Sequence, residues 1–282
     1  QHCRALGKDL RVIATETRPY LQGSRLTAWE IARAGIQVAV IPDCAIAQVM
    51  SGGGVNAVLV GSDRNARNGD VINKVGTYPL ALMAKEYGVP FYALVQDPGP
   101  LATGEEVTIE ERPVHEFLNF QGHSLAPHVT KGRYPSFDIT PARLISYLVG
   151  FDNALTPEDF RKKFQKVSPM VQRKESGRRR LLLYGMPPPD GYAHLVQALK
   201  AEEAESFLVP EMRPGLWGAQ LVSRELVKRN IPTVLISDNM MGTLFAQGQI
   251  RCLYLFYDSL DEEGAVGMCG SLLAVLLARA HG

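Results

Sequence analysis

The 282-residue sequence lacks the features that define several large classes of protein. It has no apolar run of about 18 residues, the length that a membrane-spanning helix needs. Its charges nearly cancel, with 30 Lys and Arg against 29 Asp and Glu, so no net field attracts nucleic acid or an acidic membrane. Four cysteines are too few for a disulfide framework, and no two of them form a CxxC pair. We therefore expect a reduced, cytoplasmic protein with neither nucleic-acid nor membrane partners.

The sequence also has little that predicts a metal or a cofactor. Gly52-Gly53-Gly54 precedes a strand, whereas a dinucleotide-binding glycine loop lies between a strand and a helix. His115, His123 and His128 lie in a loop-rich stretch without the spacing of zinc ligands. A flexible turn and surface side chains explain these residues, so we expect no metal and no cofactor.

Short β-branched runs alternate with longer helical patterns over most of the chain, which predicts an α/β fold with a parallel sheet flanked by helices. The expected strands are Arg11–Ala14, Gln37–Ile41, Val55–Gly61, Phe91–Val95, Leu181–Tyr184, Ser206–Val209, Thr233–Ile236 and Cys252–Phe256. The expected helices are Arg25–Ala34, Ala45–Met50, Asn73–Tyr87, Tyr192–Leu199, Leu221–Lys228 and Cys269–His281. Thr140, a good N-cap, followed by Pro141 predicts a further helix through about Val149.

A polar and basic segment, residues 167–180, divides this pattern and is typical of a linker. Its three arginines at 178–180 could touch phosphates, but a solvated linker is favoured because the net charge is close to zero. We expect one domain over residues 1–166 and a second over residues 181–282.

The two domains resemble each other at a constant spacing of 195 positions. Glu16–Gly23 (ETRPYLQG) matches Glu211–Gly218 (EMRPGLWG), and the same spacing pairs Asp43 with Asp238 and Asp63 with Asp258. A shared helix and strand pattern alone would not keep polar residues and glycines in one register, so we predict a tandem duplication. The second copy has an extra strand and helix ahead of this motif. Their counterparts would precede Gln1, so we expect the chain to be a piece of a longer protein.

Asp63 is the first candidate site residue. It follows the strand Val55–Gly61, and ligands of open α/β sheets bind outside the carboxyl ends of strands. A carboxylate there can exchange protons with a substrate hydroxyl. A capping or turn role fits equally well, because Asp258 persists in the second copy, where other polar residues are lost.

Gln22, Asn73 and Lys74 are the other candidates, because the second copy does not keep them. Asn73 and Lys74 lead into a predicted helix whose free N–H groups could bind phosphate, with ordinary capping and a surface lysine as the alternative. Gln22 becomes Trp217. Glu16 and Arg18 persist in both copies, so a structural ion pair suits them at least as well. The same comparison pairs Cys44 with Asn239, which disfavours a catalytic role for Cys44.

Several long stretches resemble the C-terminal domain of the S-methyl-5-thioribose-1-phosphate isomerase family, with GSDRNARNGD at 61–70 as its most specific motif. The wider superfamily includes ribose-1,5-bisphosphate isomerases and the alpha, beta and delta subunits of translation initiation factor two B. The matching stretches are Ala14–Asp43, Val55–Tyr92, Thr108–Pro113 and Tyr134–Ser146.

This resemblance implies a Rossmann-like domain and conversion of an aldose 1-phosphate to a ketose 1-phosphate in methionine salvage. It implies that Asp63 is the acid/base and that Gln22, Asn73 and Lys74 contact a small phosphosugar substrate, with Lys74 near its charged part. Members of the family dimerise through this domain. The two copies could therefore pack as an intrachain pseudo-dimer, which could associate further into a homo-oligomer.

The sequence departs from the family in ways that leave a second function open. The family's catalytic Cys, on a Thr-His-Cys-Asn-Ala-Gly strand, has no match here, and Cys3 aligns with the helix that follows that strand. The family's Arg-Gly-Ala phosphate segment is also unmatched, and Tyr134 stands where Asn is usual. A non-catalytic regulator that binds sugar phosphates or nucleotides is therefore the alternative to an isomerase. A purely structural role is disfavoured, since one copy keeps Asp63, Asn73 and Lys74.

Overall fold

We analysed a computed structural model, which describes residues 5–120, 122–126, 128, 131–164, 180–262 and 264–282. We call residues 5–164 the N-terminal part and residues 180–282 the C-terminal part. The predicted linker lies outside the described residues, except for Arg180, which begins a strand. Cys3 also lies outside them.

The N-terminal part combines strands and helices in alternation. Its strands are β1 (Arg11–Thr15), β2 (Gln37–Ile41), β3 (Val58–Val60), β4 (Arg64–Asn65), β5 (Val71–Lys74), β6 (Phe91–Leu94), β7 (Asn119–Phe120), β8 (His123–Ser124), β9 (Phe137–Thr140), β10 (Tyr147–Val149) and β11 (Ala154–Leu155). Its α-helices are α1 (Ala28–Arg33), α2 (Ile46–Ser51), α3 (Thr77–Glu86), α4 (His115–Leu118) and α5 (Pro157–Phe164).

The C-terminal part continues the alternation. Its strands are β12 (Arg180–Tyr184), β13 (Phe207–Pro210), β14 (Thr233–Ile236), β15 (Ile250–Leu255), β16 (Ser259–Asp261) and β17 (Gly264–Val266). Its α-helices are α6 (Gly191–Ala201), α7 (Ser223–Lys228), α8 (Met241–Ala246) and α9 (Ser271–His281). The predicted mixed α/β fold with parallel strands is thereby confirmed.

The parallel strands form one continuous sheet in the C-terminal part and two separate sheets in the N-terminal part. The C-terminal order is β14-β13-β12-β15, all parallel. Among the described residues of the N-terminal part, β1 pairs only with β2. There, β3, β6 and β10 form a second parallel set, which β11 extends antiparallel. Three small antiparallel sheets complete the described residues, namely β4-β5-β9, β7-β8 and β16-β17.

Elements of the two parts recur at the spacing of 195 positions. The π-helical turn Gly23–Thr27 and α1 correspond to Gly218–Val222 and α7. The turn Asp43–Ala45 and α2 correspond in the same way to Asp238–Met240 and α8. The strands β1, β2 and β3 fall at the positions of β13, β14 and β15. β12 has no such counterpart in the described N-terminal part.

The two parts differ in how the described strands of their parallel sheets pair. β12 pairs with both β13 and β15, whereas their counterparts β1 and β3 do not pair with each other in the described residues. Ile13 is 47% exposed and its counterpart Leu208 is fully buried.

The two parts share one hydrophobic core, and their contacts are reciprocal. α9 packs against α2, and its counterpart α3 packs against α8, the counterpart of α2. Arg18 Nη2 lies 2.7 Å from Glu211 Oε2, and Arg213 Nη2 lies 2.6 Å from Glu16 Oε2. Both guanidinium groups also donate through Nε, at 2.9 and 3.0 Å, so each ion pair is bidentate.

The predicted helix from Thr140 to Val149 is wrong. Thr140 ends β9, where it pairs with Val71, and the chain continues through a 3₁₀ turn, Ala142–Leu144, into β10. Thr140 and Pro141 carry good helix-start chemistry, but strand pairing with β5 and β6 outweighs this local preference.

Candidate functional site

The candidate site is built where β3 ends and the β4–β5 hairpin turns back. Asp63 lies three residues beyond β3, and its backbone N–H donates to the carbonyl of Ile72 on β5 at 3.0 Å. The Asp63 side chain is exposed. This places a carboxylate at the open carboxyl end of a parallel strand, where it can reach a ligand.

Lys74, the last residue of β5, brings a cation to the same place. Burial lowers the pKa of Lys74, and the nearby Asp63 carboxylate raises that pKa, which opposes the effect of burial. The ammonium lies 4.3 Å from the centre of the Phe137 ring on β9, at cation–π distance. Among the described residues, Lys74 has neither a salt bridge nor a hydrogen bond through its ammonium. It is a half-buried positive charge without an anionic partner in contact.

Asn73 points its amide at the start of the following helix. Its Nδ2 donates to Thr77 Oγ1 at 3.0 Å, and Thr77 Oγ1 donates to the carbonyl of Lys74 at 2.7 Å. Through Thr77, the amide therefore stabilises the chain between Lys74 and the helix. The Asn73 side-chain oxygen accepts no described hydrogen bond. The side chain is half-buried.

The expectation of free N–H groups at the start of this helix is wrong. Asn73 and Lys74 belong to β5, and α3 begins only at Thr77. The backbone N–H groups of Gly76 and Tyr78 donate to Asp138 Oδ2, at 2.7 and 3.0 Å. A carboxylate of the protein's own chain therefore occupies the place predicted for a phosphate.

Asp138 is fully buried, and its environment favours the protonated acid. Burial raises its pKa to about 7, against the opposing effect of the N–H donors from Tyr78 and Gly76. Its Oδ1 has no hydrogen-bond partner among the described residues. A proton on Oδ1 would leave Oδ2 free to cap α3.

Gln22 lies at the start of the π-helical turn after β1. Its Oε1 is buried and has no partner in the part of the chain that the structure describes. An unpartnered buried acceptor of this kind is uncommon, since most buried polar atoms are hydrogen-bonded. The structure brings Asp63 and Lys74 together, puts Asn73 next to Lys74, and describes no contact between Gln22 and any of them.

A polar network near Lys74 was missed by the sequence analysis. Arg112 donates to both oxygens of Glu116, at 2.8 and 3.0 Å, and to the hydroxyl of Tyr20 at 2.8 Å. The hydroxyl of Tyr20 donates to Glu116. The positive charge of Arg112 acts to lower the pKa of Lys74, so this network shares the electrostatic environment of the site.

Tyr134 packs against this polar network. Its ring packs edge-on against Tyr20, with the ring centres 6.2 Å apart, and burial raises its pKa. The Tyr134 hydroxyl is buried without a described partner. In the sequence, Tyr134 stood out only because it occupies a position where Asn is usual in the family. Nothing in the local pattern around Tyr20 or Arg112 indicated a network, because 92 positions separate them.

A separate cavity of about 270 Å³ lies between the β8 segment and the turn before α7, and none of the four candidate residues lines it. No cluster of potential metal ligands occurs among the described residues. None of the described helices is long and apolar enough to cross a membrane.

Comparison with known proteins matches residues 1–150 to the model of the Initiation factor 2 subunit family. A methylthioribose-1-phosphate isomerase of Desulforudis audaxviator is 44% identical over 161 residues, which cover 55% of this chain and 45% of that protein. A 5-deoxyribose 1-phosphate isomerase of Bacillus cereus is 45% identical over 165 residues, covering 56% and 48%. The chain therefore spans about half the length of these curated relatives.

A solved structure of 5-methylthioribose 1-phosphate isomerase from Pyrococcus horikoshii OT3 also resembles this chain. The two share 38% sequence identity and superpose with a TM-score of 0.55. The match covers 58% of this chain and 47% of that structure.

Proposed function

The chain belongs to the Initiation factor 2 subunit family, and on this premise we propose that it is an aldose–ketose isomerase of a 5-thioribose or ribose 1-phosphate. The relatives named above as isomerases of methylthioribose and 5-deoxyribose 1-phosphates support this substrate class. The observation that carries the proposal is the unpartnered ammonium of Lys74 beside the exposed carboxylate of Asp63. Such a pair can hold a phosphate ester and exchange protons with the sugar that carries it.

In this reaction, the 1-phosphate blocks the anomeric carbon, so the sugar ring must open before hydrogen moves from C2 to C1. We propose that Asp63 accepts and returns a proton at a sugar hydroxyl, since a positioned carboxylate serves as general acid and base. We assign Lys74 to the phosphate and assign Asn73 and Gln22 to polar groups of the sugar. The unpartnered Oε1 of Gln22 supports that assignment.

We also propose that the chain is a tandem duplication of a Rossmann-like domain, with the two copies packed as an intrachain pseudo-dimer. The elements that recur 195 positions apart and the reciprocal Arg18–Glu211 and Arg213–Glu16 pairs support this proposal. In this arrangement, the C-terminal copy serves as a structural partner, because it keeps neither Lys74 nor Gln22. Cytoplasmic localisation stays a prediction.

Binding and turnover of methylthioribose 1-phosphate and 5-deoxyribose 1-phosphate test the function, with calorimetry for binding and NMR for turnover. Asp63→Asn should lower kcat about 100-fold or more, the usual contribution of a general acid or base, and should change Kd little. Lys74→Met should weaken Kd about tenfold, or about 1.4 kcal/mol. Lys85→Met is the matched control, because Lys85 is an exposed lysine on the neighbouring α3, and it should change neither quantity.

The outcome separates the isomerase from its alternative. Binding that depends on Lys74, without turnover and without an effect of Asp63→Asn, would instead identify a sugar-phosphate-binding regulator. The family's name as subunits of an initiation factor makes that the second candidate. A chain that binds neither phosphosugar overturns both assignments.

A further inference from the structure

Two thiols from the two parts of the molecule meet at the interface between them. Cys44 lies in the turn before α2, and Cys269 lies just ahead of α9. Their sulfur atoms are 3.8 Å apart, although 225 positions separate the residues in the chain. Both are free thiols, as is Cys252, the other cysteine among the described residues.

The thiol pair is present at one of two equivalent contacts. Asn239 corresponds to Cys44, and its Nδ2 donates to the carbonyl of Val75 at 3.3 Å. Val75 and Cys269 occupy equivalent positions, because each precedes a glycine that begins a helix. These glycines are Gly76 before α3 and Gly270 before α9, and their φ angles are 105° and 96°. A hydrogen bond therefore joins the parts on one side, and two sulfur atoms meet on the other.

The two thiols differ in the way that a reactive and a resolving cysteine differ. Cys269 is exposed, and its contact with the Cys44 thiol lowers the pKa of Cys269 to about 7. Cys44 is 1% exposed, and the same contact together with burial raises its pKa. A thiolate is the nucleophile in disulfide exchange, so Cys269 is the residue that reacts first with a reagent in solution.

The chain next to Cys269 lies close to Cys44, and the two sulfur atoms are already near each other. A Cβ atom placed on Gly270, next to Cys269, would lie 3.0 Å from the Cβ of Cys44, so the two backbones are already close. A disulfide requires the sulfur atoms to approach to about 2.05 Å. The sulfur atoms, now 3.8 Å apart, therefore have to move about 1.8 Å closer to form the bond.

We propose that Cys44 and Cys269 form a reversible disulfide between the two parts by exchange with a small-molecule disulfide of the glutathione type. The Cys269 thiolate attacks one sulfur of the oxidised reagent, forms a mixed disulfide and releases one reagent thiolate. Cys44 then gives up its proton and attacks the Cys269 sulfur, and the second reagent thiolate leaves. The two protein thiols are oxidised, one reagent disulfide is reduced to two thiols, and the two thiol protons end on them.

The test joins the parts covalently after the chain between them is cut. A specific protease site is inserted after residue 170, and Cys3 and Cys252 are replaced by Ser so that only the pair remains. The folded protein is treated with oxidised glutathione, cleaved, and run on denaturing gels without and with a reductant. We expect one band of full mass without reductant, two bands with it, and a mass loss of two hydrogen atoms in the uncut protein.

Single variants separate the pair from other chemistry. In Cys44→Ser, the reaction with oxidised glutathione should stop at a stable mixed disulfide on Cys269. In Cys269→Ser, glutathione should modify Cys44 at least tenfold more slowly than it modifies Cys269 in the wild type, because Cys44 is buried. Cys252→Ser alone is the matched control and should leave the full-mass band unchanged. Two bands without reductant in the Cys3→Ser/Cys252→Ser protein, or glutathione retained on Cys269 while Cys44 is present, overturns the proposal.

Discussion

Three buried aspartates show how individual residues couple this fold to pH. Burial raises the pKa of Asp43, Asp138 and Asp238 to about 7 from an ordinary value near 3.8. Between about pH 4 and pH 7, these three carboxyl groups therefore bind more protons in the folded protein than in the unfolded chain. Under that condition, the free energy of unfolding falls as the pH rises.

Asp138→Asn should reduce this pH dependence. The amide oxygen can accept the N–H groups of Gly76 and Tyr78, and the amide nitrogen takes the place of the protonated Oδ1. One pKa unit corresponds to about 1.4 kcal/mol. Between pH 5 and pH 8, the free energy of unfolding should therefore fall by about 2 kcal/mol more in the wild type than in the variant. Urea unfolding at several pH values measures this difference.

Asp152→Asn serves as the comparison, because Asp152 is exposed. This substitution should leave the pH dependence of the unfolding free energy as it is in the wild type. Equal slopes of unfolding free energy against pH in the wild type and Asp138→Asn would show that Asp138 is ionised throughout this range.

At the scale of single elements, two glycines allow a strand to pass closely over the turn that follows it. A Cβ on Gly23 would lie 1.7 Å from the carbonyl oxygen of Thr15, where β1 ends. A Cβ on Gly218 would lie 1.9 Å from the carbonyl oxygen of Pro210, where β13 ends. Both contacts are with backbone atoms, which cannot rotate away as a side chain can. The π-helical turns that lead into α1 and α7 thus depend on a glycine at this position.

Gly23→Ala should destabilise the protein by at least about 3 kcal/mol, at or above the upper range for overpacking, because strand and turn must separate. The midpoint of urea unfolding, with its slope, measures the change. Gly99→Ala is the control, since a Cβ there meets no atom within 4 Å, and it should stay within about 0.5 kcal/mol of the wild type. A wild-type midpoint for Gly23→Ala would mean that the turn can shift away from β1 at little cost.

Over the whole molecule, two ion pairs join the two parts, and one of them is fully buried. Arg18 and Glu211 have side chains that are 4% and 0% exposed, and they form the more deeply buried of the two reciprocal pairs. Removing one partner of such a pair leaves an unpaired buried charge, which is far more costly than loss of a surface pair. The contact therefore makes the folding of each part depend on the other.

Arg18→Met should lower the free energy of unfolding by about 3–5 kcal/mol, because Glu211 loses its partner. Arg18→Met/Glu211→Leu should recover a large part of that loss by removing the stranded charge. Lys162→Met breaks the exposed pair with Glu158 and should cost no more than about 1 kcal/mol. Denaturant titration of all three variants gives the comparison, and similar losses in Arg18→Met and Lys162→Met would contradict it.

Much of the fold was accessible from the sequence because the determining forces are local. Runs such as Thr233–Ile236 and Gln37–Ile41 are short and rich in apolar, β-branched residues, and both predicted strands have the observed bounds. The helix expected after Thr140 failed because its residues pair with β5 and β6, which come from other regions of the sequence.

The candidate site shows the same division. The sequence alone determined the alternating α/β pattern, the recurrence of motifs 195 positions apart, and the choice of Asp63, Asn73, Lys74 and Gln22, because residue type and order carry that information. Only the tertiary structure decided that Asp138 caps α3, that Arg112 joins Tyr20 and Glu116, and that Cys44 meets Cys269. These contacts join residues 62, 92 and 225 positions apart, and chain packing, not local preference, brings such residues together.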